Sequence, residues 1–174
     1  MIHARIPRAL ALVGLAALCA GCASDQSRGY AVGGGFPEGV RTIAVPIWEN
    51  RTRDPEMGAR VTEAIIKEVN RSTPWRVVSA GAATTLTGVI TRADLRKLGQ
   101  DSVTGLVQEL AYDVSVDFTW ENNRTRKPIL KRTSFRAQGQ FIPTRGVGEP
   151  IEVGQLGAID ALARAVVAEL RSDW

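Results

Sequence analysis

Residues 110–120 read LAYDVSVDFTW, the most regular stretch of the chain. Leu110, Tyr112, Val114, Val116, Phe118 and Trp120 fall on one side of a period of two, and Ala111, Asp113, Ser115, Asp117 and Thr119 on the other. Such alternation predicts a strand with one face in a core and one in water. Glu121-Asn122-Asn123 then supplies a hairpin turn, and Ile129–Phe141 returns as the partner strand with Phe135, Ala137 and Phe141 inward. Arg132, Arg136 and Gln138 are expected on the wet side, across the ladder from Asp113 and Asp117. Upstream, Leu86–Ala93 reads as a further strand containing Gly88, and Lys97–Thr104, with Gly99 and Asp101, as a loop.

The flanking segments predict the rest of the domain. VRTIAVPIW at 40–48 is a strand with Ile43, Val45 and Ile47 on one face. Pro46 has no amide to donate, which marks an edge or a bulge. ENRTRD follows as a turn. Pro55–Arg71 is a helix: Asp54 suits the N-cap, Pro55 the first helical position, and Met57, Val61, Ala64, Ile65 and Val69 recur at three and four. Glu63 and Lys67 are spaced to pair on its wet side. Thr73-Pro74 ends it, and Trp75–Val78 starts a short strand. Leu156–Leu170 is a closing helix whose stripe is Leu156, Ile159, Leu162, Ala163, Val166 and Leu170, backed by Asp160, Arg164 and Arg171. The expected fold is α+β, a two-layer sandwich: a mixed, mostly antiparallel sheet of about four strands with two helices packed on one face. It forms a single domain over residues 40–174, without an internal repeat.

The first 21 residues are set apart from that fold. Arg5 and Arg8 precede an apolar run, Ala9–Leu18, too short to span a bilayer, and small residues lead to Ala20-Gly21-Cys22. This is the layout of a signal peptide. Ala20-Gly21-Cys22 resembles the lipobox of bacterial lipoproteins, in which the cysteine thiol accepts a diacylglycerol and becomes the first mature residue; position 19 is Cys where that pattern usually has Leu. The competing reading is an ordinary signal peptide cleaved near Ala20 or Ala23, which would release a soluble periplasmic protein. Residues 22–39 carry Gly33-Gly34-Gly35 and read as a Gly-rich flexible tether. Ala23 and Ser24 follow the cysteine; an Asp directly after it would resemble an inner-membrane retention signal, so the outer membrane is favoured.

Composition narrows the chemistry. Of 174 residues, 44% are hydrophobic and 23% charged, an ordinary globular balance. The only histidine is His3, and the only cysteines are Cys19 and Cys22. A mature chain starting at Cys22 therefore lacks the side chains of Ser-His-Asp or Cys-His catalysis and the His or Cys ligands of zinc. Asp113 and Asp117 could be imagined as an acid/base pair, but a solvated face paired with arginines explains them better. No enzyme activity, cofactor, metal or nucleic acid is expected. Cations gather at Arg124, Arg126, Lys127, Lys131 and Arg132, a candidate contact for a phosphate-bearing anion, a phospholipid or lipopolysaccharide, since Arg matches phosphate with its planar fork. A second group, Trp48, Arg51 and Arg53, is a candidate partner contact. Core packing is the other explanation for Trp48, Trp75, Trp120 and Trp174.

VRTIAVPIWENRTRDPEMGARVTEAIIKEVNRSTPWRVV (40–78), ATTLTGVIT (83–91), YDVSVDFTW, and a last helix with Ala158-Ile159-Asp160-Ala161-Leu162-Ala163 together resemble the lipopolysaccharide-assembly lipoproteins, the LptE family. The resemblance covers nearly all of the domain. It implies an outer-membrane lipoprotein, lipid-anchored on the periplasmic side, that plugs an LptD-type β-barrel translocon, assists its assembly and helps insert lipopolysaccharide into the outer leaflet. The aromatic residue usual soon after the lipid cysteine is missing; Tyr30 comes later. The alternative is a non-catalytic scaffold lipoprotein of another envelope complex. If Cys22 carries the anchor, Cys22→Ser abolishes incorporation of labelled fatty acid and moves the protein from the membrane to the soluble periplasmic fraction; incorporation that persists would exclude Cys22.

Overall fold

The computed structural model describes residues 39–100, 107–142 and 150–171. The signal peptide, Cys22, the tether, residues 101–104 of the expected loop and Trp174 lie outside them.

The elements run β1 (Thr42–Ala44), β2 (Glu49–Asn50), α1 (Met57–Ser72), β3 (Arg76–Val77), β4 (Thr84–Gln100), β5 (Val107–Asn122), β6 (Lys127–Phe141) and α2 (Ile151–Glu169). They build one six-stranded mixed sheet, not about four strands, in the order β3-β1-β4-β5-β6 with β2 also on β4. The count rises because the first strand is broken in two and the segment after α1 pairs with it. β1 and β2 run parallel to β4, and β3 parallel to β1. A parallel return needs a crossover, which α1 supplies. β4, β5 and β6 form an antiparallel meander, with register from Thr84↔Asn122 to Gln100↔Val107 and from Asn122↔Lys127 to Leu110↔Phe141. Both helices cover one face.

The break in the first strand decides how the helix layer attaches. Ile43 and Val45 point inward as expected, but Ile47 is 77% exposed and Trp48 is buried in its place. The extended pairing stops at Ala44, Pro46 offers no N–H, and the alternation slips by one before β2 begins. Trp48 then lies flat on Gly88: a Cβ there would stand 2.4 Å from its ring. Across the ladder from Gly88 is Phe118, stacked on Trp48 at 6.2 Å and itself edge-on to Phe135 at 5.5 Å. Above, the Trp48 N–H donates to Thr62 Oγ1 at 2.9 Å, and that hydroxyl donates to Gly58 O at 2.7 Å. Gly58 is small because the Trp48 carbonyl is close; a Cβ would meet it at 2.8 Å. At the other end of the core Trp75 packs on Trp120 at 5.2 Å.

Helix α1 begins two residues later than the Pro55 start expected. Asp54 still organises that start: its Oδ1 accepts the Glu56 N–H at 3.0 Å and its carbonyl the Met57 N–H at 3.2 Å. Met57, Val61, Ile65 and Val69 are buried, as the periodicity predicts. Helix α2 starts at Ile151, five residues before the expected Leu156. Leu156 is 58% exposed, and the inward positions of the first turns belong to Gly154 and Ala158. Small residues are required there, because α2 rests directly on β6: a Cβ on Gly139 would come within 2.2 Å of Gly154 O and 2.3 Å of Ala158 N. β4 continues through Lys97–Gln100, which the sequence suggested as loop, because β5 pairs with it past a bulge at Thr91 and two register shifts near Gly99.

Substituting Gly139 by Val should displace α2 and cost about 2–3 kcal/mol or more by overpacking, read as a lower midpoint in thermal or denaturant unfolding. Gly99→Ala, where a Cβ meets only the Glu109 Cβ at 3.9 Å, is the tolerated control.

Candidate functional site

The basic hairpin is built on two asparagines. Asn122 Oδ1 accepts the N–H groups of Arg124 at 3.0 Å and Thr125 at 3.1 Å, and its carbonyl accepts Arg126 N–H at 2.8 Å. Asn123 ties the turn to the sheet: its N–H donates to Ala83 O at 3.0 Å, its Nδ2 to Ala82 O at 2.8 Å, and its Oδ1 accepts from Thr85 Oγ1 at 2.9 Å. Side-chain polar groups thus replace the backbone ladder where the chain reverses. The tip brings Arg124, Arg126 and Lys127 together, all exposed, with none in an ion pair among the described residues.

Lys131 and Arg132 part from the tip and from each other. Lys131 is exposed opposite Thr119, on the open sheet face. Arg132 was expected there too, but it lies opposite the inward Phe118, on the helix side, and its Nε donates to Glu169 Oε2 of α2 at 2.8 Å. The cause is a bulge. Thr133 and Ser134 both fit between partners on β5 that are separated by Asp117 alone, so Leu130, Lys131 and Arg132 change face, until a second shift at Ile129 restores the alternation. Ser134 takes φ 53°, and its N–H donates to Asp117 Oδ1 at 2.7 Å.

Asp113 and Asp117 are therefore occupied structurally. Asp113 accepts from Arg96 Nε at 2.7 Å, and that hydrogen bond and the carboxylate charge raise the Arg96 pKa; Arg96 Nη2 also donates to Gln138 Oε1 at 2.9 Å. Its cross-strand cation is Arg96 of β4 rather than Arg132 or Arg136 of β6. Four residues apart on one strand, the two carboxylates stand roughly 13 Å apart, beyond the span of about 6.5–9.5 Å over which an acid/base pair shares a water.

Around Arg51 and Arg53 a cleft of ≈ 520 Å³ opens at the end of β2, lined also by Asp54, Arg92, Asp94 and Tyr112. Arg51 pairs with Glu49 at 2.8 Å, which raises its pKa, and Arg92 lies 3.6 Å from Asp94. Arg53 is exposed and has no ion pair among the described residues. Burial pushes the Tyr112 phenol above its ordinary value. Beside it Gln155 of α2 donates to Asp54 Oδ2 at 2.7 Å and accepts from Arg60 of α1 at 3.3 Å. No local signal announces this linkage, since Gln155 and Asp54 are 101 residues apart. Trp48, grouped with Arg51 and Arg53 in the sequence, is 2% exposed, so its indole is closed to a partner. Exposed Ile47 and the two arginines are what that corner presents. Among the described residues no cluster of His, Cys, Asp or Glu could hold a metal.

The described residues thus offer charged surfaces at the two ends of the sheet. Compared with known families, residues 40–173 match the profile described as LptE, lipopolysaccharide-assembly. The chain belongs to the LptE family. As a member it is a non-catalytic, outer-membrane, lipid-anchored lipoprotein that faces the periplasm and has an outer-membrane partner. No curated protein matches it by sequence. Among solved structures it is similar to the hypothetical protein CT253 from Chlamydia trachomatis, at 11% identity and a TM-score of 0.56 over 76% of this chain and 96% of that one. Protein XCC0632 from Xanthomonas campestris gives 8% and 0.55 over 79% and 90%. Lipoprotein GNA1162 from Neisseria meningitidis gives 12% and 0.44 over 75% and 97%. The first two likenesses show the fold.

Arg126 of this LptE-family domain takes φ 56°, a left-handed conformation that glycine adopts without the strain of about 1–2 kcal/mol met by other residues. Arg126→Gly should therefore remove one cation from the tip without lowering the thermal midpoint, whereas Asn123→Ala, which loses two cross-links, should lower it.

Proposed function

We propose that this protein is the lipoprotein plug of an LptD-type β-barrel, that it assists the barrel's assembly, and that together they insert lipopolysaccharide into the outer leaflet. The observation that carries this reading is the family match over residues 40–173. The open sheet face supports it: Thr87, Thr91, Asp113, Ser115, Asp117, Thr119 and Arg96 give a polar surface, suited to a barrel lumen that is itself polar. Residues 1–21 act as the export signal, Cys22 bears the lipid, residues 22–39 are the tether, and residues 40–174 form the plug domain.

Within that assembly the hairpin cations Arg124, Arg126 and Lys127, with Lys131, meet the phosphates of lipopolysaccharide. Arg132 is held by Glu169 and contributes its charge from the side. Arg51 and Arg53, beside exposed Ile47, are the contact for the barrel.

The test is purification of the lipidated protein from its native membrane in mild detergent. A large outer-membrane β-barrel should copurify in stoichiometric amount, and Arg51→Glu with Arg53→Glu should lower its yield severalfold. Recovery without a barrel, under conditions that keep other envelope complexes whole, would overturn the plug and leave a scaffold lipoprotein.

A further inference from the structure

The hairpin is not the only source of unpaired cations at its end of the domain. β1 runs parallel to β4, and β3 parallel to β1, so the starts of all three strands lie together, at the end where β5 turns into β6. Arg41 immediately precedes β1 and Arg76 opens β3. Both are exposed, and neither is in an ion pair among the described residues.

A row of hydrogen bonds fixes these cations relative to the hairpin. Arg76 N–H donates to Arg41 O at 3.0 Å, Thr42 Oγ1 accepts Ala83 N–H at 2.9 Å, and Ala83 O accepts Asn123 N–H at 3.0 Å. Strands lie about 4.8 Å apart, so the row from Arg76 to the hairpin is roughly 20 Å wide. Arg41, Arg76, Arg124, Arg126 and Lys127 together carry five positive charges. Among the described acids at this end, Glu68 is paired with Arg71 and Glu169 with Arg132, which leaves Glu121, partly buried. The carboxyl ends of α1 and α2 add only about half a negative charge each. The end remains strongly basic.

The chain also enters the domain here. Gly39 and Val40 lead straight into Arg41, and Cys22 is seventeen residues back. An anchor at Cys22 would therefore join the domain at this end of the sheet and not at the Arg53 end.

We propose that this basic end is a membrane-seating surface: Arg41, Arg76 and the hairpin cations rest on anionic phospholipid headgroups of the leaflet that holds the anchor. The lipid supplies proximity, and the cations set which end of the domain faces the bilayer. Charges brought within a Debye length of an anionic surface attract it individually, so a rigid row of five acts as a polybasic segment does. The inference rests on Cys22 as the anchor and does not require the barrel. The hairpin cations are shared with the lipopolysaccharide contact; Arg41 and Arg76 are not, so they carry the test.

The full mature chain with Cys22→Ser, which removes the acyl chains and keeps every domain residue, is floated with vesicles. Vesicles of phosphatidylcholine alone should leave it free, and vesicles with about one-third phosphatidylglycerol should capture it, less so as salt rises. Arg41→Gln with Arg76→Gln should weaken capture about tenfold or more, with an unchanged thermal midpoint showing that the fold is intact. Arg53→Gln, at the opposite end, should change nothing. Undiminished capture of the double variant, equal capture by neutral vesicles, or an equal loss with Arg53→Gln would overturn the seating surface. Each vesicle outcome is read without a barrel, so it stands apart from the copurification result, and fatty-acid labelling tests the anchor separately.

Discussion

One contact holds the two layers in register: the Trp48 indole lying on the bare backbone of Gly88. A glycine in the middle of a seventeen-residue strand lacks a side chain to pack and weakens the strand locally. Here that gap receives a tryptophan, with Phe118 beside it and Gly58 and Thr62 of α1 above. The same residue thus orders the broken first strand, the position of the crossover helix and the face of β5. Losing a buried ring of this size costs about 3–5 kcal/mol, a large share of the stability of any small domain. A mirrored arrangement seats the second helix, where Gly139 lets the backbone of α2 come down on β6.

These close approaches also explain the division of labour over the surface. With both helices pressed onto one face, the other face of the meander is left to threonines, serines and charge pairs such as Arg96–Asp113. The carboxylates that might have done chemistry are spent on a guanidinium and on a bulge amide. What remains available is charge at the ends of the sheet: one basic end where the strands begin and the hairpin turns, and one mixed corner around Arg51, Arg53 and Asp94.

Elements whose burial follows a simple period were legible in the sequence: β5, the inward stripe of α1, and the two-helices-on-a-sheet arrangement. What was not legible depends on single-residue slips of that period. The shift at Pro46 exchanged Ile47 for Trp48 in the core, and the bulge at Thr133–Ser134 moved Arg132 to the helix side. A bulge adds a residue without changing composition or hydrophobicity, so nothing local announces it. The five extra residues at the start of α2 were hidden because their one buried position is Gly154, which carries no apolar signal, while the apolar Ile151 and Val153 face water. The candidate site was half visible: the cations of the hairpin stand close in sequence, whereas Arg41 and Arg76 join them only through parallel pairing.

That pairing also fixes the order in which the domain can close. β5 and β6 meet across a four-residue turn, from Asn122 to Lys127, but β1 finds β4 only by bringing Ile43 to Thr84. Closing a loop of about forty residues rather than about five costs roughly 2 kcal/mol more in chain entropy. The meander is therefore the foundation, and the N-terminal strand with Trp48 is a latch laid over it afterwards. The stretch of chain nearest to the proposed anchor is the one that carries β1 and Trp48, so tension on a membrane tether would bear on the joint between the sheet and its helices before it reached the meander.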